Sequence, residues 1–415
     1  MTDPDFVRET LEDLKARDLY RRLVAVGSAA GPRVRVGPAR RSLGEGGRRT
    51  VLQFASNNYL GLANDPRVRE AARKAVEKWG WGAGASRLIA GHTDAHAALE
   101  ADLAAFKHTE AALVFPTGYM ANLGVISALV GRGDTVLCDR ENHASIYDGL
   151  RLSGAELARY RHADADDAAA IIKKASPFAA TAKRGTRRLL LVTDTVFSMG
   201  GDVAPLAAIA DACCRAGAML LLDEAHATGV LGPTGAGLAD ALLFESRLNG
   251  AESQLTQAIT ASVGTLSKAL GGIGGFVAAS RQVCDLLVNR ARPFIYSTAL
   301  PAAACEAARA ALKIVRREPQ RRRRLLALAD RLRAALRREG FDTGRSATQI
   351  IPIIVGDPER ALTLSAALLD RGIFCPAIRP PTVPPRTSRL RISLTADHTD
   401  EDIARLVRAL VAARG

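Results

Sequence analysis

Aromatic residues are scarce in this chain, at 5% of 415 positions, and there are only six cysteines. Cys138, Cys213, Cys214, Cys284, Cys305 and Cys375 form no C-x-x-C pair and lie mostly in apolar stretches. Zinc sites and disulfide frameworks need more regular spacing, so these read as reduced core residues, and no metal is expected. No apolar run approaches the roughly 18–20 residues of a membrane-spanning helix. The opening residues, MTDPDFVRETLEDL, lack the basic-then-apolar order of a secretory leader, and the expectation is a cytoplasmic protein. Lysine is rare too. None of the nine lysines follows a glycine, so no G-x-x-x-x-G-K-[ST] phosphate loop exists. Without that loop, the helicase-like tetrad Asp223-Glu224-Ala225-His226 does not indicate a nucleic-acid motor.

What the chain has in excess is arginine, which accounts for most of a net charge of +14. The arginines are scattered through helical segments, with one dense run of Arg321, Arg322, Arg323 and Arg324. No aromatic residues interleave a basic tract, so a solvated basic surface is expected rather than a nucleic-acid partner. Attraction of an acidic carrier or a nucleotide thioester is a secondary use of that charge. Hydrophobic residues at 48% and charged residues at 24% are the composition of a soluble globular protein, long enough for two sizeable cores.

Leu11, Leu14, Leu19 and Leu23 recur at nearly helical spacing, which predicts a helical lead-in over 1–35. A Gly-, Arg- and Ser-rich turn follows at 38–49. Beyond it, short apolar strands alternate with amphipathic helices. Strands are predicted at 111–115, 135–139, 188–194, 218–223, 261–265 and 275–279, and helices at 119–130 and 206–216. Continuous apolar strands separated by helices predict an α/β fold with a mostly parallel sheet, binding ligands beyond the strands' carboxyl ends. After Pro301 come a long Arg/Leu/Ala helix over about 302–339 and strands at 349–355 and 390–394. The expected division is an N-terminal arm (1–53), a large domain (54–300) and a small C-terminal α+β domain (301–415).

Two strand ends carry the strongest chemical signal. One delivers Asp223, Glu224 and His226, the other Thr265, Ser267 and Lys268 before the turn Gly271-Gly272-Ile273-Gly274-Gly275. A lysine that carries pyridoxal phosphate, and a carboxylate that keeps the pyridine nitrogen protonated, need this arrangement. A salt-bridged pair at the sheet edge would be spelled the same way. Thr117-Gly118-Tyr119 opens a helix directly after a strand, where an anion is favoured, though such turns are common without ligands. His143 follows the next strand and is either a ring-stacking histidine or an ordinary helix cap. His92 and His96 are spaced for one metal ion, but a helix start capped by Thr93 or Asp94 suits TDAH better.

Together the blocks FASNNYLGLA (54–63), GAGASRLIAGHTDAH (82–96), FPTGYMAN (115–122), DRENHASIYDG (139–149), TDTVFSMGGD (193–202), LLDEAHATGVLG (221–232), GTLSKALGGIGG (264–275) and IYSTALP (295–301) resemble the α-oxoamine synthases. That family lies within the fold-type I pyridoxal-phosphate enzymes, and the blocks run in its order across essentially the whole chain. The resemblance implies a homodimeric acyltransferase with pyridoxal 5'-phosphate on Lys268, Asp223 at the pyridinium nitrogen and His143 stacked on the ring. Ser198 and His226 would approach the phenolic oxygen. Gly118, Tyr119 and Thr265 would hold the phosphate, with Thr298 from a second subunit. Asn57 and Arg391 would hold the substrate carboxylate, and Arg21 and Thr382 would contact the acyl group. AIRPPTVP (377–384), SRLRISLTADHT (388–399) and GASRL (84–88) look most like the biotin-pathway member. Its substrates are L-alanine and pimeloyl-CoA or pimeloyl-acyl carrier protein. The members making 5-aminolevulinate, 2-amino-3-ketobutyrate or long-chain sphingoid bases are the alternatives, with a non-catalytic regulatory subunit more remote.

Overall fold

The computed structural model describes residues 4–37, 47–181, 187–248 and 254–414. Strands β1 (Arg33–Val36) and β2 (Arg49–Gln53) come first in the chain. β3 (Ala111–Phe115), β4 (Thr135–Asp139), β5 (Glu156–Tyr160), β6 (Leu189–Asp194), β7 (Met219–Asp223), β8 (Ile259–Thr265) and β9 (Gly275–Ala279) follow. β10 (Ile350–Gly356), β11 (Ile373–Phe374), β12 (Ala377–Ile378) and β13 (Ser388–Ser393) close the order. The helices that matter below are α1 (Asp5–Ala16), α2 (Pro66–Trp79), α3 (Asp94–Lys107), α4 (Gly118–Leu129) and α5 (Ala144–Ser153).

Chain contacts define two units. One joins residues 1–59, 199–201 and 324–415; the other holds 60–198 and 202–323. This differs from the sequence-based division in two ways. The helix Ala302–Arg317 packs on α2 and α3, within the larger unit rather than the C-terminal one. The N-terminal segment, for its part, belongs with the C-terminal residues, because β2 lies between β1 (antiparallel) and β11 (parallel) in one sheet.

The larger unit is built on a seven-stranded sheet in the order β3-β9-β8-β7-β6-β4-β5. Only β9 runs against its neighbours, pairing antiparallel with both β3 and β8. β3, β6 and β9 are buried along their whole length, which is why they read as unbroken apolar runs rather than as alternation. The sheet thus brings Phe115, Asp139, Asp194, Asp223 and Thr265 to one edge. The smaller unit holds β1-β2-β11 and the antiparallel β10-β13-β12.

Three sequence readings need correction. The helical lead-in ends at Ala16, where Asp18 adopts a left-handed φ of 53°, and RVRV becomes a strand with alternate residues buried. The long helix predicted at 302–339 is two, Ala302–Arg317 and Pro319–Arg338. Pro319 lacks the N–H that a continuous helix would need there. The arginine run is also only in part a solvated face: Arg323 and Arg324 are exposed, while Arg322 is buried. Arg321 bonds Leu60 O, Asp65 and Glu318; Arg322, 7% exposed, bonds Val315 O and Pro233 O; Arg324 bonds Ala396 O and His398 O. Three of the four guanidiniums cap backbone carbonyls, work that suits their fixed fork of donors.

All six cysteines are free, and Cys138, Cys213, Cys284, Cys305 and Cys375 are buried. Among the described residues, no helix is long and apolar enough to cross a membrane.

Candidate active site

Asp223 ends β7 and is 4% exposed. Its carboxylate accepts hydrogen bonds from Asn122 Nδ2 at 2.7 Å and the Ala225 N–H at 2.9 Å. Both donors aim the carboxylate. β8, the parallel neighbour, leads into Lys268, whose Nζ lies 2.9 Å from His226 Nε2. The lysine, the carboxylate and the histidine therefore meet at adjacent strand ends, as the sequence predicts.

His143 occupies the N-cap of α5, so the capping reading is correct as far as it goes. Ser145 Oγ is 2.7 Å from His143 Nδ1, and the Ser145 N–H donates to the same nitrogen at 3.3 Å. Asn122 Nδ2 in turn donates to Ser145 Oγ at 2.9 Å. One amide of α4 thereby orients both the carboxylate and, through Ser145, the imidazole. With Nδ1 accepting, the neutral ring carries its hydrogen on Nε2. Protein packed around the imidazole lowers its pKa, which keeps the neutral form dominant.

Thr117 caps α4 through the Met120 N–H at 3.1 Å. The first N–H groups of a helix lack intrahelical acceptors, and here they belong to Gly118 and Tyr119. Facing them, Thr265 Oγ1 is 2.7 Å from Ser267 Oγ and donates to Gly274 O at 3.0 Å. A Cβ on Gly275 would sit 2.5 Å from both Cα and N of Gly118, so only glycine permits this approach. The Tyr119 side chain is turned away, its hydroxyl donating to Asp148. Thr298 is exposed and bridges to Ser86 through the backbone.

Ser198 sits on the hairpin held by the Val196–Val203 bridge and the Phe197 N–H to Asp202 O bond. Behind it is a cluster that sequence reasoning missed. His162 Nδ1 is 2.9 Å from Asp139 Oδ1, and its Nε2 is 2.7 Å from Asp202 Oδ2, with Glu141 at 3.7 Å. This imidazole joins the turn before His143 to the hairpin of Ser198. Burial alone would lower its pKa, but hydrogen bonds to Asp139 and Asp202 outweigh it and raise the value to about 9. A folded pKa above the unfolded 6.5 stabilises fully below pH 6.5 and is lost as pH rises through 9. The loss amounts to roughly 3 kcal/mol. Wild type should therefore lose thermal stability between pH 7 and 9.5 more steeply than His162→Gln; parallel pH profiles would rule the clamp out.

In the other unit, Arg391 on β13 is 8% exposed and donates to Asn57 Oδ1 at 3.0 Å and Ser393 Oγ at 2.8 Å. Tyr59 OH lies 3.4 Å from its second nitrogen. These three partners are neutral. Arg21 donates to Thr382 Oγ1 at 2.9 Å, so that predicted pair also meets. His96, by contrast, is explained by structure alone: Thr93 and His96 form a capping box on α3, and burial lowers the histidine's pKa to about 4.

Sequence reasoning also passed over Asn122, Ser145 and Asp194. Each lies inside a quoted block, but only the three-dimensional register shows what it touches.

A mostly parallel sheet with an amine, a carboxylate and imidazoles at its carboxyl edge, beside a helix N-terminus, is the architecture of a fold-type I transferase. The chain belongs to the aminotransferase class I and II family, whose model matches residues 49–410. It is 50% identical over 408 residues to the 8-amino-7-oxononanoate synthase of Anaeromyxobacter dehalogenans, covering 98% of this chain and 95% of that one. Serine palmitoyltransferase from S. paucimobilis, solved with a bound PLP–myriocin aldimine, superimposes with a TM-score of 0.85. Its sequence is 31% identical, and the match covers 99% of this chain and 96% of that chain. The 8-amino-7-oxononanoate synthase of Francisella tularensis matches with a TM-score of 0.71 at 26% identity, over 87% of this chain and 97% of that one.

Proposed function

We propose that this enzyme condenses L-alanine with a pimeloyl thioester, on CoA or acyl carrier protein, to give 8-amino-7-oxononanoate, carbon dioxide and the free thiol. The observation that carries the reading is 50% identity to a synthase of that name across 98% of the chain. It spans both the Lys268 edge and the Thr382–Arg391 region.

The residues fit pyridoxal phosphate as cofactor. Asp223 and Lys268 meet the needs of its ring and carbonyl, and the α4 N-terminus with Thr265 meets those of its phosphate. Asn122 Oδ1 is besides a buried acceptor without a partner among the described residues. Bound there, pyridoxal phosphate supplies an electron-poor ring that accepts the electron pair released at the amino acid's α-carbon.

The chain's own groups do the rest. Asp223 would keep a proton on the pyridine nitrogen of the bound group, since a neutral pyridine accepts electrons poorly. His143 would pack on its ring, and Ser198 and His226 would help hold its phenolic oxygen. Lys268 Nζ removes the α-proton and later returns one. Arg391 and Asn57 hold the substrate carboxylate, for which a guanidinium offers two parallel hydrogen bonds. Arg21 and Thr382 contact the acyl group. The new bond joins the α-carbon to the thioester carbonyl, the thiol departs, and the original carboxylate leaves as carbon dioxide.

Assembly as a homodimer, with Thr298 serving the partner's phosphate site, completes the reading. A cytoplasmic location goes with it.

A serine palmitoyltransferase-like activity is the second reading, favoured by the TM-score of 0.85 but opposed by 31% identity. Turnover of L-alanine, glycine and L-serine against pimeloyl, succinyl, acetyl and palmitoyl thioesters separates the two. L-alanine with pimeloyl thioester should give the highest kcat/KM; a preference for any other pair overturns the proposal. Borohydride should fix the pyridoxyl group on Lys268, and a chain that retains no pyridoxal phosphate would refute the cofactor assignment.

A further inference from the structure

Asp194 ends β6 level with Asp223 on β7. It is 2% exposed, so two of the three buried carboxylates at this edge, Asp139 being the third, stand side by side. Their surroundings differ. Asp223 receives a side-chain amide and a backbone N–H. Among the described residues, the Asp194 carboxylate makes one hydrogen bond, accepting the His143 N–H at Oδ2 (2.7 Å), and no ion pair. Its own N–H is held by Asn142 Oδ1 at 2.9 Å, one residue before His143. Asp194 thus grips the turn that carries the imidazole from two sides.

Two adjacent buried carboxylates do not both ionise readily, and the better-solvated one keeps the charge. We propose that Asp194 is a positioning residue that works protonated, fixing the His143 turn while leaving Asp223 as the single ionised member of the pair. The groups that bear on it are consistent with this. Burial, then the charge of Asp223, raise its pKa well above the carboxylate range, with Asp139 adding to the rise. The His143 N–H and the charge of Lys268 oppose it without reversing the direction. Protonated, Asp194 still offers Oδ2 to the His143 N–H. Ionised, it would compete with Asp223 for the positive charge of a bound pyridinium. That last consequence rests on the cofactor reading above; the protonation state does not.

The test compares Asp194→Asn, an uncharged isostere that still accepts the His143 N–H, with wild type and with Asp194→Ala. In the cofactor-free protein, infrared difference spectra of wild type minus Asp194→Asn at neutral pH should show a protonated carboxyl stretch. From pH 5 upward, the unfolding equilibrium of wild type should rise relative to the Asn variant by about tenfold per pH unit until Asp194 ionises in the fold. A carboxylate band in the difference spectrum, or a stability gap that does not change with pH, overturns the protonated state. These two measurements stand even if the Ala variant does not fold.

Positioning is read from equilibrium binding of pyridoxal phosphate. Asp194→Ala should weaken it by about tenfold, and Asp194→Asn should recover most of that loss. Equal losses in Ala and Asn would mean the charge is needed, and no loss in Ala would mean that Asp194 positions nothing; either overturns the proposal. Wild type that binds no pyridoxal phosphate would instead strike the cofactor reading and leave the infrared result to decide the protonation state.

Discussion

Asp223→Asn is expected to retain pyridoxal phosphate yet to exchange the α-proton of L-alanine about a thousandfold more slowly than wild type. Asparagine matches the shape of aspartate; its Oδ1 can still accept the Ala225 N–H, and the Asn122 amide would have to turn so that its Oδ1 accepts from the new NH2. The phosphate cradle at α4 and Lys268 are untouched, so binding should survive. What disappears is the negative charge that, on the proposed function, would keep a proton on the pyridine nitrogen. Each 1.36 kcal/mol of lost transition-state stabilisation is tenfold in rate, so a thousandfold asks about 4 kcal/mol of this one charge. That is reasonable for a carboxylate buried at 4% exposure, where little solvent screens it. Deuterium exchange at the α-carbon, followed by NMR without acyl donor, isolates the step. Exchange within a few-fold of wild type would mean that another group protonates the ring.

Lys107→Met should destabilise the protein by about 3–5 kcal/mol, the usual cost of leaving a buried charge without its partner. Lys107 Nζ lies 2.5 Å from Glu224 Oε2, and both side chains are almost fully covered, at 3% and 2% exposure. The ammonium also donates to Thr228 Oγ1 at 3.2 Å and to Ala236 O. Glu224 Oε1 accepts the Ala239 N–H at 3.1 Å. The pair thus fastens the end of α3 to the loop that follows β7, one residue from Asp223. Replacing both members, as Lys107→Met with Glu224→Leu, removes the orphaned charge and should recover much of the loss. Denaturant midpoints of the single and double variants decide it. If Lys107→Met costs under about 1 kcal/mol, water reaches Glu224 and the pair is not dry.

How much of this was legible in the sequence follows from burial. β3, β4 and β9 lie within their predicted limits because both faces of the sheet are covered, leaving unbroken apolar runs between polar loops. β5 escaped notice because it is the sheet's outer strand, and Glu156, Leu157 and Arg159 on it are exposed. β11 and β12 are two residues each, too short for any period to register. At the site, Lys268 and Asp223 stand out at the ends of obvious strands, though a sheet-edge salt bridge would be spelled the same way, and His143 is told from an ordinary helix cap only by the resemblance to a family. Asp194 did not stand out, though its signal was present: a second apolar strand ending in an acid. Knowing that β6 and β7 are in register turns that acid into a neighbour of Asp223. His162 was less accessible still, because its partners Asp139 and Asp202 lie 23 and 40 residues away in sequence.

The buried cysteines set how the protein meets electrophiles. Burial pushes the thiols of Cys138, Cys213, Cys305 and Cys375 up to about 12, and that of Cys284 to about 11. Alkylating and oxidising reagents attack the thiolate, and at neutral pH these five hold almost none. Cys214, half-buried at the end of the helix Leu206–Ala216, is left as the position that such reagents reach first. Under mild conditions, then, a maleimide dye should mark the folded chain at one defined point. Labelling at the other five would report that the fold had opened.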